Sequence, residues 1–186
     1  NIPGINALHQ GLEAEVTYKP TSKLTLKGMA SLGDWVWQDD VAFTLYDEEQ
    51  NVLGTFNAYI ANVHVGNAAQ STASITVDYE AFPGLNLGAD YLYLAKNFAD
   101  FNPTNRTKPE DAVDSWQMPN VGLVDFNMNY NFEVAGLETT VYGKINNLLN
   151  TEYVADATDG PSHDEDSALV YFGFGTIWST GLKIRF

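Results

Sequence analysis

The sequence contains no cysteine among its 186 residues, so it has neither disulfide bonds nor thiolate metal sites. It also lacks any run of about 18 apolar residues, the length that a transmembrane helix requires. Basic residues are scarce, with 9 lysines and arginines against 24 aspartates and glutamates and a formal net charge of −15. No nucleic-acid partner is therefore expected, since binding to phosphates requires a basic surface.

The short motifs of common active sites are also missing. There is no G-x-S-x-G, no phosphate-binding loop and no glycine-rich dinucleotide turn. The three histidines, His9, His64 and His163, are far apart and show no zinc-binding spacing. We therefore expect no catalytic residue, no cofactor and no enzymatic activity.

Hydrophobic residues alternate with polar ones along most of the chain. In the segment 124–132, the odd positions carry polar Asp or Asn and the even positions carry large apolar side chains: Val124, Phe126, Met128, Tyr130 and Phe132. A helix would scatter these five residues around its circumference, whereas a β-strand places them all on one face. The alternation therefore predicts strands.

The same pattern recurs in about seven runs, and the connections between them alternate in length. Short turns are predicted near 20–23, 82–84 and 135–137, and long polar loops near 41–69, 97–120 and 155–172. The first long loop is expected to contain a hairpin of 42–46 and 52–56. Outer-membrane barrels show this sorting of short periplasmic turns and long external loops. The sequence thus predicts an all-β fold, an antiparallel transmembrane β-barrel segment of about seven long strands.

Alternation alone also fits a soluble all-β domain with one face in its core. Three features favour the membrane. The strands, at about 10–14 residues, exceed those of globular sheets and match tilted membrane strands. Aromatic residues such as Tyr18, Tyr79, Tyr153 and Trp178 lie toward strand ends, as in an aromatic girdle. The face opposite the apolar one is polar rather than a second core.

Several motifs resemble those of TonB-dependent outer-membrane receptors. The run 144–153, KINNLLNTEY, resembles the penultimate strand of that family, and 175–186, GTIWSTGLKIRF, resembles its closing strand with a terminal Phe. HQGLE at 9–13 resembles a strand start common in these barrels. GDWVW at 33–37 and HVGNAAQST at 64–72 resemble receptors of the Bacteroidetes group.

This resemblance implies a bacterial outer-membrane location and a barrel of about 22 strands. Residues 1–186 would be the C-terminal part of that barrel, without the plug domain that family members carry inside it. The implied function is uptake of a scarce nutrient, such as an iron chelate, haem, cobalamin or a glycan, energised through TonB. The implied partners are outer-membrane lipid, the remainder of the barrel and its plug, the TonB complex, the solute and a surface lipoprotein.

Two other functions are compatible with the pattern. A complete small barrel of about eight strands would act as a passive channel or an adhesin, if one more strand lay within 41–69. A soluble β-barrel carrier would turn the apolar face of 124–132 toward a bound hydrophobic ligand.

Ligand contacts are expected at the barrel mouth and in the external loops. Trp35 and Trp37 share one strand face near an outer strand end, and Trp116 lies in the second long loop. These rings would stack on a flat ligand. Arg106 and Lys108 are the cations of that loop, and they would bind an anionic chelate.

Acidic residues are densest between 156 and 166. Asp156, Asp159, Asp164 and Asp166 supply the hard oxygen ligands that calcium prefers. Their spacing matches no EF-hand, however, and acidic external loops are usually solvated. We therefore expect no metal site, with calcium at these four residues as the alternative.

Overall fold

The computed structural model describes residues 4–186 and is built from β-strands with two short 3₁₀ helices. Within this part of the chain, no helix is long and apolar enough to cross a membrane. Seven long strands form one sheet: β1 (Ala7–Thr21), β2 (Leu24–Trp37), β5 (Ser71–Phe82), β6 (Leu85–Ala95), β9 (Val121–Val134), β10 (Leu137–Asn146) and β13 (Ile177–Arg185). The all-β prediction and the number of long strands are confirmed.

The seven strands are neighbours in the order in which they follow along the chain, and every pair is antiparallel. Such a meander forms from consecutive hairpins, so each strand pairs with the segment nearest to it in sequence. The register keeps apolar residues opposite apolar ones. Ile75 of β5, for example, lies opposite Tyr91 of β6, which lies opposite Val124 of β9.

Three tight turns lie together at one end of the sheet, as predicted. They join β1 to β2, β5 to β6 and β9 to β10. At the last of these turns both Ala135 and Gly136 have positive φ, 53° and 76°, as a two-residue turn of type I′ requires. At the second turn Gly84 has a φ of 88° and follows Pro83, the order that a type II turn favours.

The other end carries the three long connections, which we call the first loop (38–70), the second loop (96–120) and the third loop (147–176). Each contains a two-stranded hairpin: β3 (Val41–Tyr46) with β4 (Val52–Ala58), β7 (Asn97–Phe98) with β8 (Gln117–Met118), and β11 (Val154–Thr158) with β12 (Leu169–Phe172). The hairpin of the first loop is confirmed. The other two were not predicted, because their strands, of two to five residues, are too short for the alternation to show.

The sheet has two chemically different faces. Its apolar face carries large exposed side chains from all the long strands except β10, including Leu12, which is 77% exposed, and Val16, Leu32, Ile75 and Leu182. Exposed apolar area of this extent is unfavourable in water and expected against lipid.

The polar face is connected by hydrogen bonds across the strands. Lys27 pairs with Asp78 at 3.2 Å, and the Thr76 hydroxyl donates to Asp90 at 2.6 Å. Farther along, the Thr140 hydroxyl donates to Asn131 at 2.7 Å. A wetted wall tolerates such groups, so this face suits the lumen of a barrel.

Two glycines of the sheet lie beneath aromatic rings from neighbouring strands. A Cβ on Gly181 of β13 would stand 2.2 Å from the hydroxyl oxygen of Tyr142, and one on Gly122 of β9 would stand 2.6 Å from that of Tyr91. Each ring therefore occupies the space of the missing side chain. Aromatic cover of a cross-strand glycine helps to fix strand register.

Within residues 4–186 the sheet does not close on itself, because β1 and β13 each pair on one side only. A strand edge in lipid would leave backbone amide and carbonyl groups without hydrogen bonds. Both edges of the described sheet therefore present backbone groups that further strands could pair with.

Candidate functional site

The three loops pack together at one end of the sheet and form two small cores. The first contains Val41, Phe43, Ala58 and Ile60, with Trp37 and Phe101 against them. The second contains Ala99, Met118 and Ala157, with Trp116, Val154 and Val170 against them. Each core joins side chains of two different loops, so the loops are one packed body.

Arg106 lies at the centre of this body, with 1% of its surface exposed. Its Nη1 donates to the carbonyl oxygens of Asp111 at 2.6 Å and Val113 at 2.5 Å. Its Nη2 donates to Asp159 Oδ2 at 2.8 Å. The guanidinium also stands over the ring of Phe101, 4.1 Å from its centroid. The side chain thereby joins the second loop to the third.

Asp159, the partner of Arg106, is 2% exposed and accepts further hydrogen bonds. Its Oδ1 accepts the backbone N–H of Trp116 at 3.0 Å, and its Oδ2 lies 2.6 Å from His163 Nδ1. Because an ionised carboxylate only accepts, the proton of that contact lies on His163. The backbone N–H of Tyr59 donates to the carbonyl of Arg106 at 2.8 Å, so the first loop is attached as well.

Burial and the neighbouring carboxylate have opposite effects on the pKa of Arg106. Burial lowers the pKa of the Arg106 guanidinium, and the Asp159 carboxylate counteracts this by favouring the charged form. An arginine remains protonated under either influence. The result is a buried ion pair whose other hydrogen bonds, apart from Arg106 Nε, are satisfied within the described residues.

His64 attaches the first loop to the second loop and to the end of β2. Its ring stacks on Phe98 with a centroid separation of 4.5 Å. Its Nδ1 lies 2.8 Å from Asp114, and its Nε2 lies 3.4 Å from Asp34. The imidazole is therefore held between two carboxylates from different elements.

Gln70 replaces a missing strand partner where β2 extends beyond β5. Its Oε1 accepts the backbone N–H of Trp35 at 2.8 Å, and its Nε2 donates to the carbonyls of Trp35 at 3.0 Å and Val65 at 3.2 Å. The side chain is 1% exposed. It satisfies backbone groups that the ladder leaves free, a role that the sequence pattern did not reveal.

Some of the predicted ligand contacts are accessible to a ligand, and others are buried in the loops. Trp35 lies on the polar face and Lys108 is exposed beside a cleft of about 500 Å³ between the second and third loops. Trp37 and Trp116 pack against the two loop cores. Arg106 is buried in its ion pair and presents no free hydrogen-bond donor at the surface, so a direct contact with an anionic chelate is not supported by its position.

The four aspartates of the third loop do not converge. Asp159 is engaged by Arg106, and Asp164 accepts the backbone N–H of Ser167 at 3.0 Å. Asp156 and Asp166 are exposed. Across residues 4–186, no group of three or more His, Cys, Asp or Glu is arranged to hold a metal ion. The calcium alternative therefore finds no assembled ligand set.

Comparison with known proteins gives a family match over most of the chain. The model described as "TonB dependent receptor-like, beta-barrel" matches residues 5–148. No curated protein matches the sequence.

Two solved structures share the fold. The siderophore receptor PiuA from Acinetobacter baumannii superimposes with a TM-score of 0.63 at 18% identity, over 97% of this chain and 22% of that one. The FpvAI–pyocin S2 complex gives a TM-score of 0.53 at 14% identity, over 96% of this chain and 20% of that one. The chain thus spans about a fifth of the length of these structures.

Proposed function

Since the chain belongs to the TonB-dependent receptor family through its β-barrel, we propose that it forms part of a receptor that imports an iron chelate across the outer membrane. The family consists of outer-membrane receptors and transporters of Gram-negative bacteria and not of enzymes. The chain is accordingly an outer-membrane protein.

The proposal assigns residues 1–186 to the C-terminal part of the barrel. The two open edges of the sheet support a place in a larger barrel, because β1 and β13 each need a further strand in the bilayer. The resemblance of residues 175–186 to the closing strand of the family supports the C-terminal position. The remainder of the barrel and a plug would complete the receptor, and TonB would supply the energy. The open edges also argue against the alternative of a complete small barrel, and the exposed apolar face argues against a soluble carrier.

An iron chelate is the proposed solute because PiuA, with the same fold, is a siderophore receptor. Haem, cobalamin and a glycan are the competing solutes. The proposed ligand contacts are Lys108, at the rim of the cleft between the second and third loops, and Trp35 on the polar face. Trp37, Trp116 and Arg106 would support the loops that carry these contacts.

Uptake by whole cells tests the proposal. Iron-starved cells with and without the gene are given ⁵⁵Fe bound to a panel of siderophores, with and without a proton uncoupler. We expect uptake of at least one chelate to require both the gene and the proton-motive force. Equal uptake of every chelate by the two strains would refute the iron proposal. Uptake that is unchanged by the uncoupler would refute energisation through TonB.

The contact at Lys108 is tested separately with Lys108→Gln. Loss of a single exposed cation should weaken chelate binding and leave the amount of folded receptor unchanged. Lys23→Gln is the matched control, because Lys23 lies in the turn between β1 and β2 at the opposite end of the sheet. Equal affinity for the chelate in the two variants and the parent would show that Lys108 does not contribute to binding.

A further inference from the structure

A recess in the polar face lies between β1 and β2, close to their loop ends. We call it the wall slot. It has a volume of about 440 Å³ and is lined by His9, Gln10, Gly11, Glu13, Ser31, Gly33 and Trp35. Three pairs of these residues are opposite each other in the register: His9 with Trp35, Gly11 with Gly33, and Glu13 with Ser31.

The slot exists because its middle row has no side chains. A Cβ on Gly33 would stand 2.8 Å from Trp35 Nε1, and a Cβ on Gly11 would stand 2.6 Å from the carbonyl oxygen of Leu32. The indole therefore lies over Gly33, and the backbone of β2 occupies the position of a side chain on Gly11. The slot volume of about 440 Å³ is sufficient for one six-membered ring.

Aromatic surface borders the slot on the side of the loops. The rings of His9 and Trp35 are nearly parallel, with centroids 5.2 Å apart and an interplanar angle of 21°. The side chain of Gln70 holds the backbone of Trp35 through two hydrogen bonds, and its Nε2 also donates to the carbonyl of Val65. The indole is thus positioned before any ligand arrives, which reduces the entropy that binding must overcome.

The opposite border carries a single carboxylate. Glu13 Oε1 accepts only a long hydrogen bond of 3.5 Å from the Ser31 hydroxyl, and neither lysine nor arginine lines the slot. The cation Lys27, farther down this face, is paired with Asp78. A carboxylate accepts hydrogen bonds and repels anions.

We propose that the wall slot binds one neutral or cationic hydroxylated ring of the transported solute. The ring would stack against the indole of Trp35 and donate its hydroxyl groups to Glu13. Small-molecule sites commonly combine aromatic surface with a few polar groups in this way. The inference rests on the proposed function, because it assumes that the receptor imports a solute. The slot would bind the organic part of that solute and not its anionic, metal-binding groups.

Three probes with the same pyranose ring test the proposal: glucose, glucosamine and glucuronate, which are neutral, cationic and anionic. Their binding to the full-length receptor in detergent is measured by saturation-transfer NMR. We expect glucuronate to bind at least about fivefold more weakly than glucose, since a like charge about 4 Å away has that effect even at the dielectric constant of water. Trp35→Ala should weaken all three by roughly twofold to tenfold.

Charge reversal gives the decisive comparison. Glu13→Lys should invert the order, so that glucuronate binds best. Glu15→Lys is the matched control, because Glu15 lies on the same strand and face but does not line the slot, and it should keep the original order. The proposal would be overturned if the parent bound the three probes with equal affinity. It would also be overturned if the two variants ranked the three affinities in the same way. A plug segment that fills the slot would give the former result.

The two proposals fail in different ways. If no ferric chelate is taken up but the ring probes keep their order, the iron proposal fails and the slot stands. If uptake is normal and the probes bind without preference, the slot proposal fails alone.

Discussion

Replacing Arg106 by methionine should release the three loops from one another. Methionine keeps most of the side-chain length but removes the guanidinium and its bonds to Asp111, Val113 and Asp159. Asp159 would then be a buried carboxylate, 2% exposed, without its cation. Breaking a buried ion pair from one side costs about 3–5 kcal/mol, and we expect this cost to appear as opening of the loops.

Hydrogen exchange at individual amides measures that opening. The N–H of Trp116 is bonded to Asp159, and the N–H of Tyr59 is bonded to the carbonyl of Arg106. A loss of about 3 kcal/mol corresponds to a factor of roughly 150 in the opening equilibrium. Both amides should therefore exchange at least about 100-fold faster in Arg106→Met. Amides in the middle of β9 and β10 should be unaffected, because the sheet does not depend on the ion pair.

Lys108→Met is the control, since Lys108 is in the same loop but exposed, and such a change typically alters stability by less than about 0.5 kcal/mol. In the double variant Arg106→Met with Asp159→Leu, the stranded charge is gone, so part of the protection should return. The reasoning is refuted if Trp116 and Tyr59 exchange within a factor of about three of the parent in Arg106→Met.

Three further outcomes are expected. Val77→Arg, in the middle of β5 on the apolar face, should lower the free energy of unfolding in lipid vesicles by about 2–4 kcal/mol, as measured by urea titration. Thr76→Arg on the polar face should lower it much less. Equal losses of stability in the two variants would contradict the assignment of the faces. Gln70→Ala should leave the backbone N–H of Trp35 without an acceptor, which should lower stability by about 1–3 kcal/mol. Hydrogen exchange of this amide should then become faster. Slow exchange in the variant would show that another group accepts the hydrogen bond. At the tip of the β3–β4 hairpin, hydrogen bonds from the side chain and backbone of Asn51 hold the pKa of Asp47 below its usual range. The stabilisation of this turn is then present above the usual pKa and is lost as the pH falls through the lowered value; the Asn51 amide resonance should titrate there, and it should stay flat in Asp47→Asn.

The fold was predictable from the sequence because period-two alternation is a local property. In the segment 124–132, each residue's face follows from its parity alone, and the structure pairs this segment through β9 with β6 and β10 as that parity requires. The turn at 135–136 was visible for the same reason, since Gly136 readily adopts the positive φ that this turn requires.

The arrangement of the loops was less accessible. Arg106 was predicted as a surface cation because its neighbours in sequence are polar, but its burial depends on Asp159, which lies 53 residues away. Gln70 was overlooked because a glutamine that replaces a strand partner has no sequence pattern. In both cases the deciding contact joins segments that only the folded chain brings together, and periodicity holds no information on such contacts.

The shared ion pair also constrains how the exposed part of the receptor can evolve. Loops usually tolerate sequence change more readily than the strands that they connect. Here the second and third loops share one buried pair, and the first loop is bonded to the carbonyl of Arg106. A change at Asp159 alone strands the charge of Arg106 and loosens all three loops at once. Sequence changes should therefore accumulate at exposed positions such as Glu48 and Lys108, whereas Arg106 and Asp159 should be retained or replaced together.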